Sequence, residues 1–143
     1  MVDSLTPEQR SAQMSRIRGT NTKLEVLVRK ALYARGFRYR LGGVGLPGRP
    51  DIVLPKYRTV VFVHGCFWHG HNCPLYRLPK TRPEFWADKI GKNRSRDERV
   101  VVELESAGWR VLTVWECSLR GKSASEQASF LDSLARELRE AAQ

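Results

Sequence analysis

The feature that most constrains the fold is the uninterrupted apolar run Thr59–Val63, which reads TVVFV. A strand with one face in water alternates apolar and polar residues, whereas a continuous β-branched run indicates a strand that is covered on both faces. Apolar residues at helical spacing occur on both sides of this run in the chain: Leu24, Leu27, Val28, Ala31 and Leu32 before it, and Phe130, Leu131, Leu134 and Leu138 after it. The sequence therefore predicts an α/β fold, a central sheet flanked by helices.

The pattern as a whole predicts the element order α-α-β-β-β-α-β-α. Three strands in a meander, followed by a helix and one more strand, indicate a mixed sheet. No linker or internal repeat interrupts the chain, so we expect one domain over residues 1–143. The predicted helices span about 6–17, 22–36, 83–90, 93–107 and part of 121–143, and the predicted strands span 37–41, 52–54, 59–63 and 109–115.

The charge balance indicates an anionic partner. Lys and Arg number 25 against 15 Asp and Glu, which gives a net charge of +10. The cations are clustered in residues 10–40 and 77–99, which favours nucleic acid as the partner. A hydrophobic content of 41% excludes a wholly disordered basic tail. No run approaches the roughly 20 apolar residues of a membrane helix, and the first residues lack the pattern of a secretory signal. We therefore expect a cytoplasmic protein with no membrane partner.

The cysteines and histidines predict a zinc site. All three histidines and two of the three cysteines lie between His64 and Cys73. Three thiolates and one imidazole are a common closed set for structural zinc, and Cys117, after the last predicted strand, can supply the distant ligand. The spacing does not choose between His69 and His71, so one of these two is left for other work. The alternative is a group of buried free cysteines with unrelated histidines.

Asp51 is the candidate for phosphodiester chemistry. It follows Pro50 and precedes the apolar residues Ile52–Leu54. A carboxylate at a strand end can hold Mg²⁺ against a phosphate, and a nearby histidine can accept a proton from water. Asp51 as an ordinary turn cap is the alternative.

Several segments in one order resemble the very short patch repair (Vsr) mismatch endonucleases. The resemblance extends from about Arg10 to Arg120. Its segments are Leu46–Asp51 (LPGRPD), Phe62–His69 (FVHGCFWH), Arg82–Trp86 (RPEFW), Lys89–Asn93 (KIGKN), Gly108–Leu112 (GWRVL) and Val114–Cys117 (VWEC).

The resemblance implies a restriction-endonuclease-like fold and nicking of one DNA strand beside the thymine of a T:G mismatch, the lesion left when 5-methylcytosine deaminates. It implies that Asp51 and the backbone carbonyl of Val63 bind catalytic Mg²⁺. It further implies that His69 is the general base and that His64 and Glu25 orient the attacking water. Glu25 could instead only cap its helix with Thr22. The implied ligands of a structural zinc are Cys66, His71, Cys73 and Cys117.

The resemblance also implies the contacts with DNA. Aromatic residues would wedge beside the mismatch, and a methionine from an N-terminal helix in residues 1–20 would clamp the opposite groove. Residues 21–120 would form the nuclease core. The implied DNA-binding residues are Phe67, Trp68, Trp86, Met14, Lys89, Asn93 and Arg120.

The chain departs from the wider fold at the end of the central strand. Most nucleases of that fold carry Glu-x-Lys on the strand after the aspartate, where this chain has Val61–His64. Vsr-type enzymes share this difference. We expect a bacterial, nucleoid-associated monomer that could couple to a mismatch-repair factor. The alternative functions are a nickase or restriction-type enzyme for intact duplex, a non-catalytic zinc module that binds DNA, and an RNA-directed enzyme.

Overall fold

The elements follow the predicted order wherever the chain is described. The computed structural model describes residues 23–43 and 45–140, so the predicted N-terminal helix with Met14 lies outside the described residues, as does Thr22, the predicted cap of the next helix. The helices are α1 (Lys23–Ala34), α2 (Pro83–Ser106) and α3 (Ala124–Glu140). The strands are β1 (Arg40–Leu41), β2 (Ile52–Leu54), β3 (Thr59–His64) and β4 (Arg110–Trp115).

The sheet is mixed, as the sequence predicted. Its strand order is β1-β2-β3-β4. The first three strands pair antiparallel, and β4 pairs parallel to β3, with Thr59 opposite Arg110 and His64 opposite Trp115. A parallel neighbour requires a crossover connection, and the long helix α2 lies in that connection. The ends of β3 and β4 consequently meet at the same edge of the sheet.

Helices cover both faces of the sheet. On one face, Ile52, Leu54 and Val61 belong to a core cluster that includes apolar residues of α1 and α3. On the other face, Val53, Val60 and Phe62 pack with Leu104 of α2. Successive strand residues point to opposite faces, so the continuous apolar run fills both cores. This confirms the prediction drawn from Thr59–Val63.

Two local predictions are wrong. The segment 37–41 was expected to be a strand throughout, but only Arg40–Leu41 pairs. Phe37 is instead buried against Tyr57, with 5.4 Å between their ring centroids. The two helices predicted over 83–90 and 93–107 form the single helix α2. Gly91 does not interrupt it, because one glycine costs a helix only about 1 kcal/mol and packing of Ile90 and Leu104, both buried, outweighs that cost.

The loops around β2 and β3 hold the chemistry. Residues 42–51 lead into β2, and residues 65–82 connect β3 to α2. Within residues 23–43 and 45–140, none of the helices combines the length and apolar character needed to cross a membrane. The division into segments 1–20, 21–120 and 121–143 stays a prediction, although α3 contributes Leu131 and Leu138 to the main core.

Candidate active site and metal centre

Asp51 is fixed at the start of β2 by the neighbouring strand. Its Oδ2 accepts a hydrogen bond of 2.7 Å from the backbone N–H of Val63 on β3. The bond joins the two residues that were predicted to bind one metal ion, but it involves the backbone amide of Val63 and not the carbonyl. Binding of the metal ion by the Val63 carbonyl stays a prediction.

Asp51 and Glu25 form a pair of neighbouring acids. Burial raises the pKa of Asp51 to about 7, the hydrogen bond from Val63 opposes this, and the nearby Glu25 carboxyl raises it further. Glu25 comes from the first turn of α1. Two carboxyl groups in contact favour sharing a proton or binding a cation. The sequence predicted both residues for this site, and the structure brings them together.

His64 and His69 stack against each other at the end of β3. Their ring centroids are 3.7 Å apart and their planes differ by 4°. The pKa of His64 is lowered to about 4, mainly by burial and also by His69, against the opposing effect of Asp97. Among the described residues, Nδ1 of His64 is buried and has no hydrogen-bond partner. His64 is therefore neutral at physiological pH.

Asp97 is a site residue that the sequence analysis missed. Its Oδ2 lies 2.5 Å from Nδ1 of His69, an arrangement that fixes the orientation of the imidazole ring. Asp97 lies on α2, four residues beyond Asn93 and eight beyond Lys89, so all three share one helix face. The spacing of these three residues was the signal in the sequence that could have identified Asp97. The signal was weak because the sequence predicted a helix break between Lys89 and Asn93.

These groups line one cavity of about 220 Å³. It contains all four predicted catalytic residues, together with Val63. Two arginines that the sequence analysis did not single out, Arg49 and Arg96, also line it. The titratable and charged residues of the lining are Glu25, Arg49, Asp51, His64, His69, Arg96 and Asp97. A small cleft with carboxylates, a paired imidazole and guanidinium groups can bind a divalent cation and hydrolyse a phosphate ester.

The predicted zinc ligands also come together. One ligand atom from each of Cys66, His71, Cys73 and Cys117 lies within 4.8 Å of the others. His71 Nδ1 is 3.5 Å from the Cys117 sulfur, and the His71 ring stacks on Trp115 at 4.0 Å. Cys117 reaches the group because β4 ends beside β3. The structure thus separates the two candidate histidines: His71 lies with the sulfurs and His69 with Asp97.

The chemistry of this group suits a divalent metal. The pKa of the Cys66 thiol is raised to about 12, mainly by burial and also by the thiols of Cys73 and Cys117, against the opposing effect of a backbone hydrogen bond at Cys117. A cation removes that penalty, because thiolates rather than thiols bind metals. The loop is also held by its own backbone, since the N–H of His71 donates to the carbonyl of Cys66 at 3.0 Å. The cluster can therefore hold a metal ion.

Most of the predicted DNA-contact residues form one aromatic cluster beside the cavity. Phe67 lies with its ring centroid 5.2 Å from Trp68 and 5.6 Å from Trp86. The Lys89 ammonium lies 5.9 Å from the Trp68 ring centroid and 6.0 Å from that of Trp86. Phe85, 42% exposed, extends the cluster towards solvent. Phe67, Trp68 and Trp86 are half-buried, so each still offers part of its surface.

The other predicted DNA contacts have different surroundings. Asn93 is buried, and its amide donates to the Trp68 carbonyl at 2.9 Å while accepting from Arg96 at 2.9 Å. Arg120 is exposed and pairs with Glu116 at 3.0 Å. Met14 lies outside the described residues. Base or phosphate contact by these residues stays a prediction.

Comparison with known proteins identifies the family. Residues 2–75 match the family model described as DNA mismatch endonuclease Vsr. The DNA mismatch endonuclease Vsr of Escherichia coli is 48% identical over 122 residues, which cover 85% of this chain and 78% of that protein. The type II nicking enzyme V.NmeAIP of Neisseria meningitidis is 48% identical and covers 99% of both chains. The type II nicking enzyme V.XorIIP of Xanthomonas oryzae is 49% identical, over 88% of this chain and 93% of its own length.

The match extends over the cavity, the cysteine–histidine cluster and the aromatic residues, and it excludes two of the alternatives, a non-catalytic DNA-binding module and an RNA-directed enzyme. The chain belongs to the Vsr DNA mismatch endonuclease family and is a DNA endonuclease.

Proposed function

We propose that this endonuclease nicks one strand of DNA at a T:G mismatch, on the strand that carries the thymine. The observation that supports this most strongly is the placement of the cavity beside the aromatic cluster, because His69 and Trp68 are neighbours on one loop. Insertion of aromatic side chains between bases requires those bases to unstack, and unstacking costs the least free energy at a weakened base pair. Two relatives are named nicking enzymes, which supports cutting of a single strand.

The catalytic cation in this proposal is Mg²⁺, held by Asp51 and the Val63 carbonyl. The donor set fits, because hard oxygen ligands suit Mg²⁺ and because burial and the nearby Glu25 raise the pKa of Asp51, an effect that a bound cation would offset. When bound, the ion supplies positive charge to the phosphate and lowers the pKa of a water molecule.

The residues of the chain have separate tasks. Asp97 accepts the Nδ1 proton of His69, which leaves Nε2 free to take a proton from the attacking water. Neutral His64, stacked on His69, holds that ring in place. Glu25 orients water on the Asp51 side. Cys66, His71, Cys73 and Cys117 hold structural zinc, which fixes the loop that carries His69 and the aromatic residues.

We extend the proposal to the fold and the assembly. The four-stranded sheet with helices on both faces supports a restriction-endonuclease-like core over residues 21–120. One asymmetric lesion needs no two-fold symmetry, so the protein acts as a monomer. A bacterial, nucleoid-associated location and a coupling to mismatch-repair factors complete the proposal.

The decisive test is a nicking assay on duplexes that differ at one position. T:G, C:G and T:A duplexes of identical context are compared with and without Mg²⁺. We expect nicking of the T:G duplex to be faster by about 10²-fold or more, since each mispaired contact changes binding by roughly 1–3 kcal/mol and the wedge adds to it. Asp51→Asn serves as the inactive control. Equal rates on all three duplexes would favour the alternative of an enzyme for intact DNA.

Asp97→Asn tests how His69 is held. The asparagine can present its N–H to His69 and so favour the wrong tautomer, and we expect the nicking rate to fall by about 10²–10⁴-fold. Affinity for the T:G duplex in Ca²⁺, measured by fluorescence anisotropy, should stay within about threefold. Glu105→Gln, an exposed carboxylate on the same helix, is the matched control. A parallel loss of affinity would contradict a role limited to positioning His69.

The pKa of Asp51 predicts an unusual pH dependence of stability. Its folded-state pKa of about 7 lies above the ordinary 3.8, so the folded form retains the proton and loses stability as pH rises through 7. Without Mg²⁺, the stability gained by Asp51→Asn should grow between about pH 4 and pH 8 by roughly 1 kcal/mol or more. Chemical denaturation measures it. A difference that is constant with pH would show that Asp51 is ionised throughout.

Cys117→Ser tests the zinc site. We expect the zinc content, measured by elemental analysis, to fall from one per chain. The free energy of unfolding should decrease by roughly 4 kcal/mol or more, because loss of a metal is among the largest single-site effects. Ser118→Ala, at the adjacent position, should leave both quantities unchanged. One zinc per chain in Cys117→Ser would mean that the ligand set is different.

A further inference from the structure

The cavity must accept a phosphate although three carboxyl groups line it. Glu25, Asp51 and Asp97 all repel an anion, and Mg²⁺ on Asp51 offsets only part of that charge. Hydrolysis also builds negative charge on the non-bridging oxygens of the phosphate, which fixed donors stabilise. Strand β3 carries no lysine or arginine for this purpose. Among the described residues that line the cavity, the fixed positive charges belong to Arg49 and Arg96.

Arg49 has a left-handed backbone and an unused guanidinium group. Its φ is 47°, a conformation that costs a non-glycine residue free energy and is concentrated at functional sites. The other two left-handed arginines have structural partners: Arg58 donates to the Ala107 carbonyl, and Arg82 stacks on Phe85. Within residues 23–43 and 45–140, the guanidinium of Arg49 makes no hydrogen bond, ion pair or ring contact. Contacts with the described residues therefore do not account for an arginine at position 49.

Next to Arg49, the loop before β2 packs closely against α2. Gly48 has a φ of 71°, and a Cβ there would lie 2.4 Å from Cγ1 of Val100. Val100 is one helical turn from Arg96, on the same side of α2. The Gly48–Val100 contact therefore places Arg49 close to the part of α2 that contains Arg96.

Arg96 is oriented by a chain of hydrogen bonds. Its Nη2 donates to Asn93 Oδ1 at 2.9 Å, and Asn93 Nδ2 donates to the Trp68 carbonyl at 2.9 Å. Trp68 precedes His69 in the chain. The guanidinium is thereby fixed relative to the loop that carries His69, and among the described residues its remaining N–H groups have no hydrogen-bond partner.

We propose that Arg49 and Arg96 bind the non-bridging oxygens of the phosphate that is cleaved, Arg49 from the loop before β2 and Arg96 from α2. The planar fork of arginine matches two phosphate oxygens. The two residues replace the fixed positive charge that the end of β3 does not supply. This inference rests on the proposed function, since it concerns the phosphate in the same cavity.

Arg49→Gly is the most informative variant. Glycine suits the left-handed backbone, so the melting temperature should be unchanged or higher. The single-turnover nicking rate should fall by about 10²-fold, the effect of losing one donor to a developing oxyanion. Arg49→Lys keeps the charge without the fork and should recover part of the rate. Arg96→Ala should also slow nicking.

Arg136→Ala is the matched control for charge. Arg136 is exposed on α3 and lines a separate cavity with Arg35 and Asp132, so its loss should leave the nicking rate within about twofold. An unchanged rate in Arg49→Gly, or an equal loss in Arg136→Ala, would overturn the proposal.

A binding experiment identifies the contact independently of cleavage. T:G duplexes in Ca²⁺ carry one uncharged methylphosphonate at either phosphate flanking the mismatched thymine. At one of the two positions, the substitution should weaken binding to the wild type about tenfold and to Arg49→Gly by less than about threefold, since contacting groups are not additive. Equal losses in both proteins at both positions would overturn the contact. Failure of the proposed function is seen separately, as equal nicking of T:G and C:G duplexes by the wild type.

Discussion

The parallel pairing of β3 with β4 is the constraint on which both sites depend. It sets His64 opposite Trp115, so the residues that follow each strand meet at one edge of the sheet. Cys66 and Cys117 are brought together in this way, and the stacked histidines lie beside them. A register shift of one residue would turn every side chain of β4 to the other face. The buried apolar residues on both faces of β3 therefore also determine the geometry of the polar edge.

Local patterns predicted most of the fold. Thr59–Val63 predicted a strand that is covered on both faces, because such a strand has no exposed face and so no alternation of apolar and polar residues. For a similarly local reason, the density of histidines and cysteines predicted a cluster that could hold a metal. Where the sequence analysis failed, a competing contact decides: Phe37 leaves the expected strand to pack on Tyr57, and Gly91 stays helical inside a packed helix.

The different roles of His69 and His71 were implied by the family resemblance and not by their spacing. Both lie in the same short stretch, and spacing left them equivalent. In the structure, Asp97 lies against one and the Cys117 sulfur against the other. Both partners are distant in sequence, so no local pattern could assign them. Arg49 escaped prediction for the same reason, because its cavity is built from α1, the loop before β2, the end of β3 and α2.

The cavity shows why stability and activity conflict at this site. Asp51 is held partly buried beside Glu25, and burial and the neighbouring carboxyl both raise its pKa, which disfavours the charged form. A carboxylate in full contact with water would ionise more easily, but water would compete with any cation for the same oxygens. The rest of the fold must compensate for this strained pair. The two apolar cores do so from both faces of the sheet, while the cysteine–histidine cluster fixes the loop beside it. Support on both sides keeps the two acids close together, an arrangement that a bound cation would stabilise.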